Sequence, residues 1–156
     1  MAERYTAAYA RQHQLSHLLA SSAGTHAVVA HPMHHEAAAV LAEIGGDASE
    51  FAARQLNSRI ASDADLILTM TMAQRDMVLE LAPRQLRRTF SLGEASRLAS
   101  EGGGISVTDL ADLRPRLQSS ELVDVPDPIG QSPEFFAMVG FQIAALLTPI
   151  LELCRQ

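Results

Sequence analysis

The chain has 156 residues, 47% of them hydrophobic, which is enough to bury one sizeable core but not two. A single domain spanning residues 1–156 is therefore expected. The 12 basic residues, all arginine, and the 18 acidic residues give a net charge of −6, and no basic run could follow a phosphate backbone, which argues against nucleic acid as a partner. No stretch predicts a membrane span or a leader, so a cytoplasmic protein without a membrane partner is expected.

The first half of the chain alternates between patterns typical of helices and of strands. Side chains at helical spacing predict a helix over residues 2–14. A short apolar run over residues 18–23 leads into a Gly-Thr turn and predicts a buried strand. Further helices are predicted over residues 37–44 and 58–64.

The second half contains the clearest strand pattern. Residues 65–70 form a continuous apolar run after an acidic start, which is typical of a parallel strand covered on both faces. The other predicted elements are a helix over Met72–Leu81, a short strand over residues 89–92, loops and short helices over residues 94–120 with a break at Gly102-Gly103-Gly104, and a long apolar-striped helix over Pro133–Leu153. Strands alternating with helices predict an α/β domain with a central parallel sheet and helices on both faces.

Four motifs follow one another in a characteristic order. At these spacings they resemble the low-molecular-weight protein-tyrosine-phosphatase family, and the resemblance covers nearly the whole chain. The motifs are Ser22-Ala23-Gly24-Thr25; Ala53-Arg54-Gln55-Leu56 followed by residues 64–70; residues 75–83; and Asp124-Val125-Pro126-Asp127-Pro128-Ile129-Gly130-Gln131-Ser132. The resemblance implies a parallel sheet with the strand order 2-1-3-4, and it implies no cofactor.

The resemblance also implies a reaction, the hydrolysis of a phosphate monoester through a cysteinyl-phosphate intermediate. A thiolate attacks phosphorus, the N–H groups and the arginine of a C-x5-R loop hold the phosphoryl oxygens, and an aspartic acid protonates the leaving group. In the family this acid precedes a proline, which maps the role of general acid onto Asp127. A simple turn role is the alternative, because Asp-Pro is common in loops, and Asp124 is interpreted as a second turn acid.

The nucleophile is missing from these residues. The family carries C-x5-R-S-P before a helix that often begins Met-Ala-Glu, and this chain begins Met1-Ala2-Glu3, which puts the expected cysteine about nine residues upstream of Met1. The only cysteine, Cys154, is followed by two residues, too few for the loop and its helix. The first strand would be missing with the loop, so its two neighbours would have unpaired edges.

Two functions follow from this gap, and whether the chain is itself an enzyme stays open. The first is an N-terminally truncated phosphotyrosine protein phosphatase that is active only with the upstream phosphate loop. The alternative is a catalytically silent pseudophosphatase that acts as a binding or regulatory module. The expected partner is a phosphotyrosine protein or a small phosphomonoester, and the sequence does not predict the oligomeric state.

Several residues around the motifs are candidates for support or contact. Ser22 and Thr25 are expected to support the phosphate loop, with an ordinary turn as the alternative, and Pro128 and Ile129 are expected to border the substrate. Ile129 stands where the family often has an aromatic residue, so stacking on a phosphotyrosine ring would be lost. Arg54 is expected to form a structural ion pair.

A zinc site is the alternative for a histidine-rich segment. His26, His31, His34 and His35 lie close in sequence, and Glu36 adds a carboxylate. His34 and His35 are adjacent at a predicted helix start and are expected to point in different directions, so no metal is expected. Arsenate reduction is also disfavoured, because the region before the Asp-Pro motif lacks the cysteines that would relay a disulfide.

Overall fold

The computed structural model describes residues 1–101, 106–117 and 122–155. Its helices and strands, in chain order, are α1 (Ala2–Gln12), α2 (His35–Glu43), α3 (Ser58–Ser62), β1 (Ile67–Thr69), α4 (Met72–Leu81), β2 (Thr89–Ser91), α5 (Leu92–Glu101), α6 (Leu110–Leu113) and α7 (Pro133–Leu153). Short 3-10 turns lie at Pro83–Gln85, Val107–Asp109 and Arg114–Arg116. The predicted helices are confirmed to within a few residues at their ends. The predicted glycine break at residues 102–104 lies outside the described residues.

The described sheet consists of β1 and β2, which run parallel. Ile67 lies beside Thr89 and Thr69 beside Ser91. A parallel pair needs a crossover, and α4 supplies it. β2 is buried along its length, whereas Ile67 and Leu68 of β1 are only partly buried. The α/β class and both of these strands are confirmed, but this sheet has two strands and not the larger number that the resemblance implies.

The predicted strand over residues 18–23 is wrong. Exposure alternates along the segment as it does in a strand, and Leu19 is 89% exposed between partly buried neighbours. The nearest pairing is a single parallel bridge between Gly24 and Gln55. A strand is stable only beside another strand, because its backbone N–H and C=O groups need partners. The described residues place no strand beside this segment, so its local pattern does not become part of a sheet.

The main core lies between α7 and the unit formed by β2 and α5. α7 packs against α5, α2 and α1. Its buried stripe includes Val139, Ile143, Leu147 and Ile150, which recur at intervals of three and four residues. Phe90 of β2 is fully buried in the same core. The amphipathic pattern read from the sequence therefore identifies the face of α7 that packs.

The length of α7 corrects one expectation. This helix has 21 residues, and its most apolar 18-residue window has a mean hydropathy of 1.8, so it is long and apolar enough to cross a membrane on those two criteria. Half of its most apolar window is buried inside the domain, as in the core helix of many soluble proteins. Length and composition are therefore weak evidence for a membrane span here.

Candidate active site

The Asp-Pro loop, residues 124–132, is attached to the carboxyl end of β1. The N–H of Val125 donates to the Met70 carbonyl at 2.8 Å, and the Asp124 carboxylate accepts from the N–H of Met72 at 2.9 Å. Val125 is 2% exposed, so its hydrogen bond is shielded from water. Ligands of parallel α/β sheets bind outside the carboxyl ends of the strands. The loop therefore lies at the edge of the sheet where a site is expected.

A close backbone contact fixes the segment that leads into the loop. The Val123 carbonyl passes so near Gly93 that a Cβ at Gly93 would lie 2.6 Å from the oxygen. Gly93 lies in the first turn of α5, which Ser91 and Glu94 cap reciprocally. The Glu94 N–H donates to Ser91 Oγ at 3.2 Å, and the Ser91 N–H donates to the Glu94 carboxylate at 3.3 Å. Glycine is thus required at position 93 because the Val123 segment packs against it.

Asp127 lies exposed on the loop and is held by a local turn. Its Oδ1 accepts from the N–H of Ile129 at 3.0 Å, as in an Asx turn. Gly130 follows with a φ of +80°, which favours glycine, and the Gln131 N–H donates to the Pro128 carbonyl at 3.0 Å. Asp127 is therefore presented to solvent at the carboxyl edge of β1. Its role as general acid stays a prediction.

The turn between β1 and α4 is closed by its own side chains. Thr71 caps α4, since its Oγ1 accepts from the N–H of Gln74 at 3.1 Å. Gln74 Oε1 accepts in return from the N–H of Met70 at 3.0 Å. These two bonds resemble a capping box and fix the backbone to which the Asp-Pro loop is attached.

The Ser22-Ala23-Gly24-Thr25 and Ala53-Arg54-Gln55-Leu56 motifs contact each other. Arg54 donates from Nε and Nη2 to the Ser22 carbonyl at 3.0 and 2.8 Å, and the Gln55 side chain donates to the Thr25 carbonyl at 2.8 Å. Ser22 Oγ also donates to the Glu3 carboxylate in the first turn of α1. The expected ion pair of Arg54 is replaced by this contact with a backbone carbonyl.

Ser22 thus joins the first turn of α1 to the Arg54 segment, whereas Thr25 takes part through its carbonyl oxygen. Support of a phosphate loop by these two residues stays a prediction. A cleft of about 550 Å³ runs between α1 and residues 14–20, beside the segment that has no strand partner. Asp127 does not line this cleft.

Cys154 has an environment opposite to that of a nucleophile. It follows the last residue of α7, and its Sγ donates to the Ile150 carbonyl at 3.5 Å. Burial raises the pKa of the Cys154 thiol. A reactive cysteine needs a lowered pKa, because the thiolate is the attacking species, so Cys154 is chemically unsuited to the role.

The histidine-rich segment has a structural use. His34 caps α2, because its Nδ1 accepts from the N–H of Glu36 at 3.3 Å, and its ring stacks on Phe136 with the centroids 4.9 Å apart. His35 lies 3.2 Å from the Glu36 carboxylate. Among the residues that the structure describes, no three metal-ligating side chains converge on one point.

Together these features define an α/β domain that presents an exposed carboxyl group on an anchored loop at the carboxyl edge of a parallel sheet. A sequence model of low molecular weight phosphotyrosine protein phosphatases matches residues 1–109. The chain belongs to this family. The matched region ends before the Asp-Pro loop.

Curated relatives agree with this assignment over a shorter region. The probable low molecular weight protein-tyrosine-phosphatase EpsP of Ralstonia nicotianae is 40% identical over 73 residues, which make up 47% of this chain and 50% of that protein. EpsP of Ralstonia solanacearum is 38% identical over a region of the same length. The chain spans about half the length of the curated relatives it matches.

Solved structures resemble the whole chain. A low molecular weight protein tyrosine phosphatase from T. tengcongensis has a TM-score of 0.75 and 24% identity, covering 97% of this chain and 87% of that one. The Wzb protein of Vibrio vulnificus, solved with benzylphosphonate, has a TM-score of 0.70 and 23% identity, with coverages of 97% and 86%. A YwlE mutant from Bacillus subtilis has a TM-score of 0.76 and 19% identity, covering 99% of this chain and 88% of that one. At these identities the likeness establishes the fold.

Three residues that build the site were not identified from the sequence. Gly93 carried a usable signal, because a glycine inside a Ser-x-x-Glu helix start has no local conformational need and suggests close packing. Gln74 also carried a signal, because a glutamine three residues after a threonine at a helix start is typical of a capping box. Asp124 looked like a turn residue, since its partner Met72 lies 52 positions earlier and only the folded chain brings them together.

Proposed function

We propose that this chain is the body of a cytoplasmic phosphotyrosine protein phosphatase that hydrolyses phosphomonoesters through a cysteinyl-phosphate intermediate, with Asp127 as the general acid. The observation that carries the proposal is the exposed Asp127 carboxyl group on a loop anchored by Val125 and Asp124 to the carboxyl end of β1. Family membership supports the class of reaction. The substrate would be a phosphotyrosine protein or a small phosphomonoester, with Pro128 and Ile129 beside it.

The proposed reaction has two steps. First, a thiolate forms a bond to phosphorus, the ester P–O bond breaks, and protonated Asp127 gives its proton to the leaving oxygen. Second, a water oxygen bonds to phosphorus, Asp127 takes a proton from that water, and the S–P bond breaks to release phosphate and the thiolate. Asp127 ends the cycle protonated, as it began.

In this proposal the thiolate and the phosphate-binding arginine belong to a C-x5-R-S-P loop that, with its strand, is joined upstream of Met1. Cys154 cannot replace them, because its thiol is partly buried and its pKa is raised. A strand at this place would give partners to residues 18–23 and to β1, whose Ile67 and Leu68 are only partly buried. The cleft beside α1 also borders the unpaired segment. These features support the proposal without testing it.

The test compares the 156-residue chain with an extended form in which the encoded upstream strand and loop precede Met1. The chain alone should be slower on p-nitrophenyl phosphate by about 10⁵-fold or more, the usual cost of removing a nucleophile from a site that works as a unit. If the extended form shows no turnover, the proposed phosphatase activity is refuted. If the gene has a stop codon or an unrelated reading frame upstream, the proposal that the loop precedes Met1 is refuted.

The acid is tested in the extended form with Asp127→Asn. Turnover of phenyl phosphate, a poor leaving group, should fall by about 10²-fold, a typical contribution of general acid catalysis. The matched control is Asp65→Asn, which makes the same change at a fully exposed carboxylate near the amino end of β1. Unchanged turnover in Asp127→Asn would refute the acid assignment.

A second candidate function is a pseudophosphatase that binds a phosphorylated partner without turnover. The observation in its favour is that Cys154, the only cysteine, has a raised pKa. Calorimetry of the 156-residue chain with phosphotyrosine would support it if binding occurs without phosphate release. Phosphoarginine belongs in the same panel, because one similar structure is the YwlE arginine phosphatase from Geobacillus stearothermophilus.

A further inference from the structure

The contact between Asp124 and Met72 joins two parts of the chain that are distant in sequence. Thr71 caps α4 by accepting from the N–H of Gln74. Asp124 accepts from a different N–H of the same first turn, that of Met72, from a position 52 residues further along the chain. A helix start leaves several N–H groups without intrahelical partners, so the two contacts are not redundant. Because the Asp124 contact spans this distance, it also fixes the loop that carries Asp124.

The loop between this contact and Asp127 is stiff. Val125 is fixed by its hydrogen bond to the Met70 carbonyl. Only Pro126 separates Val125 from Asp127, and Pro128 follows directly. Proline fixes its own φ and restricts the residue before it, so both Val125 and Asp127 have restricted backbones. Asp124 and Val125 together hold the start of this stiff segment, so losing the Asp124 contact leaves one attachment in place of two, and the added freedom should reach the carboxyl group of Asp127.

The environment suits a carboxylate at this position. The N–H groups of the first helical turn carry partial positive charge, which favours a negative group close to them. Asp124 is exposed, so the attachment depends on one charge-assisted hydrogen bond and not on burial of the side chain. Removing the acceptor oxygen should loosen the loop without opening the core.

We propose that Asp124 is a positioning residue. Its hydrogen bond to Met72, called the tether below, attaches the Asp-Pro loop to the first turn of α4 and thereby places the carboxyl group of Asp127 relative to the leaving group. The catalytic half of this inference rests on the proposed function. The tether itself does not, and it can be measured in the 156-residue chain. Asp124→Ala removes the acceptor, whereas Asp124→Asn keeps an oxygen in its place and loses only the charge.

The tether is tested by nuclear magnetic resonance on the 156-residue chain. The amide proton of Met72 should exchange with water faster in Asp124→Ala than in the unchanged chain, because it loses its acceptor. The matched control is Asp65→Ala, at a fully exposed carboxylate, which should leave this exchange rate unchanged. A Met72 amide that exchanges at the same rate in Asp124→Ala as in the unchanged chain would overturn the tether.

The positioning role is tested by kinetics in the extended form with two leaving groups. Asp124→Ala should lower kcat by about tenfold on phenyl phosphate, as expected for a slightly misplaced catalytic group, and clearly less on p-nitrophenyl phosphate, whose leaving group needs little protonation. Asp124→Asn should recover most of the loss. Equal losses on both substrates would overturn the positioning role, because a general structural defect does not distinguish leaving groups.

The proposed function and the inference about Asp124 can be refuted separately. If the extended form hydrolyses neither substrate, the proposed function and with it the positioning role are refuted, while the exchange rate of the Met72 amide still decides the tether. If the extended form is active and Asp124→Ala leaves the ratio of the two rates unchanged, the phosphatase stands and the role of Asp124 is refuted.

Discussion

The buried Glu94 and the partly buried Arg114 form an ion pair in which the Arg114 Nε lies 2.6 Å from the Glu94 Oε1. Glu94 is 2% exposed, and its second carboxylate oxygen belongs to the capping box of α5. Arg114 also donates to the carbonyls of Leu86 and Thr89, and its guanidinium lies 4.1 Å from the centroid of the Phe90 ring. The pair ties residues 114–116 to β2 and α5, the elements against which the segment leading into the Asp-Pro loop packs.

Arg114→Ala should lower the free energy of unfolding by about 3 kcal/mol, because it leaves the Glu94 carboxylate buried with its close partner gone. Arg75, 3.7 Å from Glu94, limits the loss. Chemical denaturation measures the change. Arg87→Ala is the matched control. It breaks a pair of nearly the same length, 2.7 Å to Asp112, that is two-thirds exposed on both sides, and it should cost less than about 1 kcal/mol. Equal losses of stability in the two variants would contradict the explanation that the burial of Glu94 makes its ion pair the more important one.

Gly93→Ala should destabilise the domain by about 1–3 kcal/mol, since the new Cβ would meet the Val123 carbonyl at 2.6 Å. The sign is the informative part of this prediction. At an open helical position the same replacement stabilises by roughly 1 kcal/mol through helix propensity. A thermal melt of Gly93→Ala that shows a gain in stability would mean that the Val123 segment does not pack on α5.

In the 156-residue chain, whose first residue is Met1, the amino group of Met1 should make stability depend on pH. Burial lowers the pKa of this group below its usual 8.0, and the Glu3 carboxylate offsets the effect in part. As pH falls from about 8 toward the lowered value, the unfolded chain binds a proton that the folded chain does not, so the free energy of unfolding should decrease. Above pH 8 this contribution is constant.

Acetylation of the Met1 amine isolates this effect. The acetylated chain cannot bind the proton in either state, so the difference in melting temperature between the acetylated and free chains should grow on going from pH 9 to pH 7. A difference that stays constant over this interval would show that the amine titrates alike in the folded and unfolded states. The comparison is unaffected by the histidines, which are common to both forms.

Ile129→Tyr should favour aryl phosphates in the extended form. Ile129 follows Pro128 on the Asp-Pro loop and is 61% exposed, so a ring at this position is free to stack on an aromatic leaving group. We expect a lower KM for phenyl phosphate by a few-fold, about 1 kcal/mol of stacking, and little change for an alkyl phosphate. Leu86→Tyr is the control, because Leu86 is 56% exposed but lies before the amino end of β2. A KM that falls equally for both substrates would contradict the stacking.

The sequence by itself determined the local elements and the order of the motifs. Helical spacing placed α1, α4 and α7, and the apolar run at residues 65–70 placed β1, because burial of one face imposes a period that can be read along the chain. The Asp-Pro motif identified Asp127. These features depend on neighbours in sequence, and residues a few positions apart are enough to specify them.

Only the tertiary structure decided what depends on distant partners. Residues 18–23 carry a strand pattern and yet form no strand, because a sheet requires a second backbone alongside. The attachment of Asp124 to Met72 spans 52 residues, and the contact between Gly93 and the Val123 carbonyl spans 30, so neither leaves a periodic trace in the sequence. These contacts hold the segment that carries Asp127, and they form only when α4, α5 and the Asp-Pro loop have packed together.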